Sequence, residues 1–162
     1  VKHHVALSIV GTDGLEENGY FLAKVAQERL IKDSGVPFTI VRATQFFEFV
    51  ATIAEGSVDG DRLVVPDADF QPIAAADVAE VLADVVLAAP RNATIEIAGP
   101  ERRPFRDFVA CRIAADGDNR EVHAERAARY FGATLDKGSL VPEFAGATRL
   151  GPTRFESWLA AA

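Results

Sequence analysis

Two short apolar runs, HHVALSIV at residues 3–10 and FTIVRA at 38–43, bracket an amphipathic stretch, and this pattern constrains the fold more than any other feature of the chain. Apolar runs of that length read as strands buried on both faces. Between them GTDGLEENG is a loop by its Gly, Asp and Asn content. From Tyr20 to Asp33 the residues Phe21, Leu22, Val25, Ala26 and Leu30 recur at helical spacing, with Lys24, Gln27, Glu28 and Lys32 mostly on the other side. Gly35 and Pro37 end the helix. Two neighbouring strands joined through a helix run parallel, and the crossover between them is expected to be right-handed. The class is therefore α/β.

The rest of the chain continues the pattern. TQFFEFVATIAEG predicts a short helix with an aromatic cluster, and DGDRLVVP a turn followed by a strand. In FQPIAAADVAEVLADVVLAAP, Asp77 stands at the head of an amphipathic helix, where its carboxylate can cap or complement the N-terminal dipole. NATIEIAGP predicts a strand, and Pro104 opens a helix through PFRDFVACRIAA. REVHAERAARYFGATL is expected to hold a strand and a short helix, and PTRFESWLAA a terminal helix. That makes about four strand candidates in one domain, 1–162. Because the chain starts at Val1 almost directly with a buried-type strand and contains no Met, it is expected to be the second half of a larger fold.

Composition narrows the function classes. A net charge of −7 with no Lys/Arg cluster excludes nucleic acid as the expected partner. No apolar run approaches the roughly 20 residues of a membrane span, and no signal peptide is visible, so the expected location is the cytoplasm. Cys111 has no second cysteine to pair with and reads as a small buried hydrophobe. Adjacent His3 and His4 point to opposite faces of a strand, and His123 has no Cys or His at metal spacing, so no metal site is expected. Asp67 and Asp69 in PDADF read as turn residues.

Chemistry concentrates near the first strand. Tyr20 and Lys24 lie four residues apart, on one face of the predicted helix. An ammonium beside a phenol favours the phenolate, which prepares the phenol for proton transfer near neutral pH. Ser8 closes the strand, where its hydroxyl could hold the carbonyl that Tyr20 protonates. Phe46, Phe47 and Phe49 are expected in the core.

The segments HHVALSIVGTD, GYFLAKVAQERLIKDSGVPFTIVRATQFFEF, FQPIAAADVAEVLADVV, TIEIAGPE, RYFGATL and LGPTRFESWL resemble the atypical short-chain dehydrogenase/reductases, specifically their NmrA-like, NAD(P)-binding branch. The resemblance implies a Rossmann-like parallel-sheet fold lacking its N-terminal βαβ units, with sheet and helices over about 1–100 and a small substrate-side region over about 101–162. It places Ser8, Tyr20 and Lys24 at the reaction centre, and Lys24, Ala43, Thr44, Gln45 and Phe46 at the cofactor, NAD or NADP. For Phe46, Phe47 and Phe49 it implies an apolar wall beside the nicotinamide. The segment from about Glu121 to Leu150 would help close the substrate site. The family's glycine-rich GxxGxxG loop is absent. GTDGLEENG has the wrong spacing, and its Asp13, Glu16 and Glu17 would repel a pyrophosphate. Cofactor affinity in this chain alone is accordingly expected to be poor.

The implied activity is NAD(P)H-dependent reduction of a small carbonyl-like or quinone-like substrate. A non-catalytic dinucleotide sensor or interaction protein, and an inactive fragment, stand as alternatives. The first strand is expected at an exposed sheet edge, where it could pair with a second copy in a homodimer.

Overall fold

The computed structural model describes residues 1–15, 17–143 and 148–161, so Glu16 and part of the 121–150 segment lie outside the described residues. The first strand, β1 (His4–Ile9), is followed by a single 3-10 turn at Thr12–Gly14, helix α1 (Gly19–Asp33) and strand β2 (Phe38–Ala43). β1 and β2 are parallel, with His4 opposite Phe38 and Ile9 opposite Ala43, so the βαβ unit legible in residues 3–43 is present in that register. After β2 come a 3-10 turn (Phe47–Phe49), α2 (Val50–Gly56), β3 (Val58–Asp59), β4 (Arg62–Pro66) and β5 (Asp69–Phe70). The chain continues through α3 (Ala75–Leu87), β6 (Ala93–Ala98), β7 (Arg103–Pro104), α4 (Phe105–Ala115), β8 (Val122–Glu125), β9 (Arg149–Leu150) and α5 (Phe155–Leu159).

The main sheet is four-stranded and parallel throughout, in the order β1-β2-β6-β9. The fold is α/β and Rossmann-like. Smaller sheets, β3-β4-β8 and β5-β7, raise the number of strands among the described residues well above the four expected. Of these, β4 is the strand expected in DGDRLVVP and β8 the one expected in REVHAERAARYFGATL, while the strands not expected, β3, β5, β7 and β9, have two residues each, below the length at which hydrophobic periodicity is readable.

Two apolar cores lie in different places. One, made of Val41, Ala43, Ile73, Val78, Val81, Val85 and Ile97, packs α3 onto the sheet. The other is larger and strongly aromatic, and binds α2, α4 and α5 together through Phe47, Phe70, Phe105, Phe108 and Phe155. Edge-to-face contacts order it: Phe47 and Phe108 both meet the Phe155 ring this way, at 5.0 and 5.2 Å. The Arg103 guanidinium lies 4.4 Å from the centre of the Phe108 ring.

β1 is the end strand of its sheet, which corrects the expected burial of α1. Leu22 and Leu30, read as core-facing, are exposed, Leu30 by 72%. The residues that α1 does bury are Phe21, Glu28 and Ile31. Glu28, expected on the outer side, is instead only 3% exposed, paired with Arg42 of β2.

Three further expectations change. Asp77 stands in the first turn of α3, where its charge complements the dipole, but it caps no amide of that helix: it is buried and accepts from the Thr153 amide at 3.0 Å and the Thr153 hydroxyl at 2.7 Å, tying the approach to α5 against α3. The helix expected within residues 120–135 is absent, because Tyr130 and Ala133 pair across a tight turn instead. Cys111 is half-buried, and burial pushes its thiol pKa up.

Candidate functional site

Parallel strands deliver their carboxyl ends to one side of a sheet, which is where ligands bind in open α/β folds. A cavity of about 530 Å³ opens there, beyond the ends of β1 and β2. Its lining includes the residues that the resemblance implies for the reaction centre and the cofactor: Ser8, Tyr20, Lys24, Ala43, Thr44, Gln45 and Phe46. Its volume falls in the usual range for small-molecule and cofactor sites, roughly 300–1,000 Å³.

Tyr20 and Lys24 reach it from the first two turns of α1. Asn18 caps that helix, its Oδ1 accepting from the Tyr20 amide at 2.7 Å. Lys24 Nζ donates to the Leu7 carbonyl and to Gln27 Oε1, both at 3.2 Å. An ammonium has three N–H groups, so one remains for a ligand or for the phenol. Tyr20 is 58% exposed, its ring set edge-to-face against Phe21 at 5.6 Å.

Below this helix face lies an ion network that the sequence did not announce. Ser8 and Arg42 are register partners. Arg42 donates to both Glu28 oxygens at 2.8 Å and to both Asp13 oxygens at 2.6 and 3.0 Å. Burial pushes the Glu28 carboxyl up, but hydrogen bonds from Arg42, with help from Ser8 and Lys32, leave it below the usual carboxylate value. Ser8 Oγ itself is buried without a partner in hydrogen-bonding geometry, so its effect on Glu28 is that of a nearby dipole rather than a formed bond. The only sequence signal for this network was a glutamate in phase with Tyr20 and Lys24, at positions 20, 24 and 28.

The segment after β2 forms the floor. Its backbone is tied down at two points: the Thr44 amide donates to the Ile97 carbonyl at 3.0 Å, and the Gln45 carbonyl accepts from the Ile73 amide at 2.9 Å. The side chains are not. Thr44 Oγ1 and both polar atoms of the Gln45 amide are buried without a partner. Buried polar atoms are nearly always satisfied, and exceptions concentrate where a ligand or water completes them. Phe47 turns into the aromatic core, as expected, while Phe46 and Phe49 line the cavity.

The far wall comes from the C-terminal part of the chain, with Tyr130 and Phe131. Tyr130 is buried, and burial together with nearby Tyr20 raises its phenolic pKa. Phe131 and Gly132 both have positive φ, 47° and 87°, and Tyr130 and Ala133 exchange backbone hydrogen bonds of 2.9 Å around them. That is the pattern of a type I′ turn, which favours Asn-Gly or Gly-Gly and seldom holds a Phe at its first central position. A left-handed conformation costs a residue such as Phe about 1–2 kcal/mol. Nothing in residues 126–134 signalled this turn except Gly132.

Elsewhere the described residues hold no group of three or more His, Cys, Asp or Glu able to bind a metal ion, and no helix long and apolar enough to cross a membrane. His3 Nε2 meets Thr39 Oγ1 at 2.9 Å, and His123 Nε2 meets Glu121 at 3.2 Å. Asp69 pairs with Arg102 and Lys137, and Asp67 with Lys137.

No family model matches the chain, and no curated protein matches it by sequence. Solved structures do resemble it. The NADPH-dependent quinone oxidoreductase QOR2 from Escherichia coli superposes with a TM-score of 0.68 at 16% identity, over 99% of this chain and 67% of that one. A nucleoside-diphosphate-sugar epimerase from Staphylococcus aureus gives 0.66 at 13% identity, over 98% and 64%. The Bordetella bronchiseptica enzyme WbmH, solved with NAD+, gives 0.65 at 14% identity, over 100% and 61%. The chain thus spans about two thirds of the length of these structures, and at such identities the likeness is one of fold.

Proposed function

We propose that this chain carries the proton-transfer side of an NAD(P)-dependent oxidoreductase of the short-chain dehydrogenase/reductase type, in its atypical NmrA-like group. The observation that supports this reading above others is the single cavity that gathers Ser8, Tyr20, Lys24, Ala43, Thr44, Gln45 and Phe46. Solved structures of the same fold are described as an NADPH-dependent quinone oxidoreductase, complexed with NADPH, and as an enzyme in complex with NAD+.

The floor of the cavity fits one end of such a cofactor. The Gln45 amide offers a donor and an acceptor, and the Thr44 hydroxyl can act as either, which matches a carboxamide and ribose hydroxyls. Phe46 and Phe49 supply apolar contact for a ring. For a pyrophosphate the described residues offer no comparable cradle, because Asp13 in the loop after β1 is an acid already committed to Arg42. The dinucleotide, when bound, supplies a hydride.

The chain's own groups handle the proton. Tyr20 gives its phenolic proton to the substrate oxygen as negative charge develops there, and Ser8 donates a hydrogen bond to the same oxygen. Lys24 stabilises the resulting phenolate and holds a ribose hydroxyl with its remaining N–H. Substrates in this reading are small carbonyl-like or quinone-like molecules. Residues 1–100 act as the cofactor-side body and 101–162 as the substrate side, which is consistent with Tyr130 and Phe131 on the cavity wall. A cytoplasmic location and a homodimer through the β1 edge belong to the same reading.

The test is calorimetric titration with NADPH and NADH, followed by turnover of 1,4-benzoquinone and of benzaldehyde. Binding with turnover that falls roughly 100-fold or more in Tyr20→Phe, while affinity is kept, supports the proposal. Full activity in Tyr20→Phe removes the triad assignment. Binding without turnover of either acceptor moves the chain to the non-catalytic sensor class, for which the engagement of Lys24 by Leu7 and Gln27 is the favouring observation. Failure to bind either dinucleotide leaves an inactive fragment.

A further inference from the structure

The strained turn at Phe131 has no structural beneficiary within the fold. Phe131 is 54% exposed and lies outside the aromatic core, so its ring adds little packing in return for a backbone conformation that a Gly or Asn would adopt freely. Strain that persists is held by its surroundings, and it clusters at ligand sites. Here the holders are visible. Asn18 Nδ2 donates to the Phe131 carbonyl at 2.6 Å while its Oδ1 caps α1. Glu17 accepts from Arg129 at 2.9 Å and from the Thr134 amide at 3.3 Å, and Arg129 also donates to the Gly132 carbonyl at 3.3 Å. Both ends of the turn are therefore latched to the two residues that precede the Tyr20 helix.

The turn places its ring on the cavity that Tyr20, Phe46, Phe49 and Tyr130 also line. Phe46 and Phe49 form one tilted pair, 6.0 Å between centres, and Tyr130 and Phe131 a second, 4.7 Å apart and edge-to-face. The one ammonium on the lining, Lys24, donates to two neutral acceptors and keeps one N–H free, and the described lining carries no carboxylate. Aromatic walls, with the donors Tyr20 and Lys24 on the same lining, select a flat ring bearing a carbonyl oxygen.

We propose that Phe131 is a selectivity-determining residue, held in a strained turn by the Asn18 and Glu17–Arg129 latch, so that its ring forms one wall of a slot for planar aryl carbonyl compounds. This deepens the oxidoreductase reading by naming a substrate class, and it rests on that reading only for the assumption that the bound molecule is a substrate. The slot itself is an equilibrium property.

The test uses the chain as it is, without dinucleotide, and measures the affinity of 2-acetonaphthone against that of the saturated ketone 2-decalone by calorimetry, with thermal denaturation of each variant. Wild type should prefer the aryl ketone. Phe131→Gly should reduce that preference roughly tenfold and leave the melting temperature unchanged or raise it, since strain is relieved while the ring is lost. Phe131→Asn, which also tolerates the left-handed region, should behave in the same way. Asn18→Asp keeps the cap acceptor but loses the donor to Phe131, so it should weaken aryl ketone binding with α1 intact by circular dichroism. No aryl preference in the wild type, or a preference unchanged in Phe131→Gly and Phe131→Asn, overturns the proposal. Failure of NAD(P)H binding or turnover is read in the separate dinucleotide assay and leaves this result standing.

Discussion

Lys24 Nζ sits 3.2 Å from the main-chain oxygen of Leu7, so the helix that carries Tyr20 is pinned to the strand that carries Ser8, one residue from the serine itself. A lysine in a YxxxK pattern is usually discussed for its charge. In this fold it also sets the separation between the other two members of the proposed triad.

Lys24→Met keeps the length of the side chain and removes the bond to Leu7. It is expected to cost about 1 kcal/mol of stability, measured by urea denaturation. Under the proposed chemistry it also lowers turnover roughly 100-fold. Lys24→Arg should recover the stability more fully than the rate, because the guanidinium can reach the carbonyl but places its charge differently.

Glu28 makes acid stability a readout of the network beneath the site. Its folded-state pKa lies below the ordinary 4.5, so its contribution is fully present above the unfolded value and is lost as pH falls through the folded one. Acid unfolding of the wild type should therefore steepen below pH 4.5. In Glu28→Gln that limb should flatten, and stability at neutral pH should fall by about 3 kcal/mol, because Arg42 loses its most buried partner.

The floor of the cavity predicts an opposition between stability and binding. Thr44 Oγ1 is 1% exposed by residue and has no partner, so its desolvation is uncompensated in the free protein. Thr44→Val should raise stability by about 1 kcal/mol in thermal denaturation. The same substitution should weaken NADPH binding in calorimetry, since the hydroxyl is one of the groups assigned to the cofactor.

Gly151 marks the joint between β9 and α5. A Cβ at this position would collide with the Asp77 carboxylate, the group that anchors Thr153. Gly151→Ala is expected to destabilise by roughly 1–3 kcal/mol, as overpacking does. Asp77→Asn should be milder, because an amide oxygen can still accept from the Thr153 amide.

The parts legible in the sequence were those governed by a long local period. Residues 3–43 showed their βαβ unit because a buried parallel strand and an amphipathic helix each leave a repeating mark over six or more residues. Ser8, Tyr20, Lys24 and 43–46 could be placed together because they close or follow those same elements. What escaped depends on contacts between distant residues. Arg42 with Glu28 and Asp13, Asp77 with Thr153, and Asn18 with Phe131 join positions 14 to 113 residues apart, and no local pattern encodes such pairs. The inward turn of Glu28 was hidden for the same reason: its partner lies on the neighbouring strand rather than on its own helix.

The edge of β1 that is unpaired among the described residues has a thermodynamic consequence. Leu7 and Ser8 belong both to that edge and to the cavity wall, so a strand added alongside would alter the wall that a ligand meets. Two binding events that share a boundary carry a coupling free energy, and coupling is reciprocal. A strand paired there that reshaped the wall would tune the affinity of the pocket, and a ligand in the pocket would return the same bias to the edge.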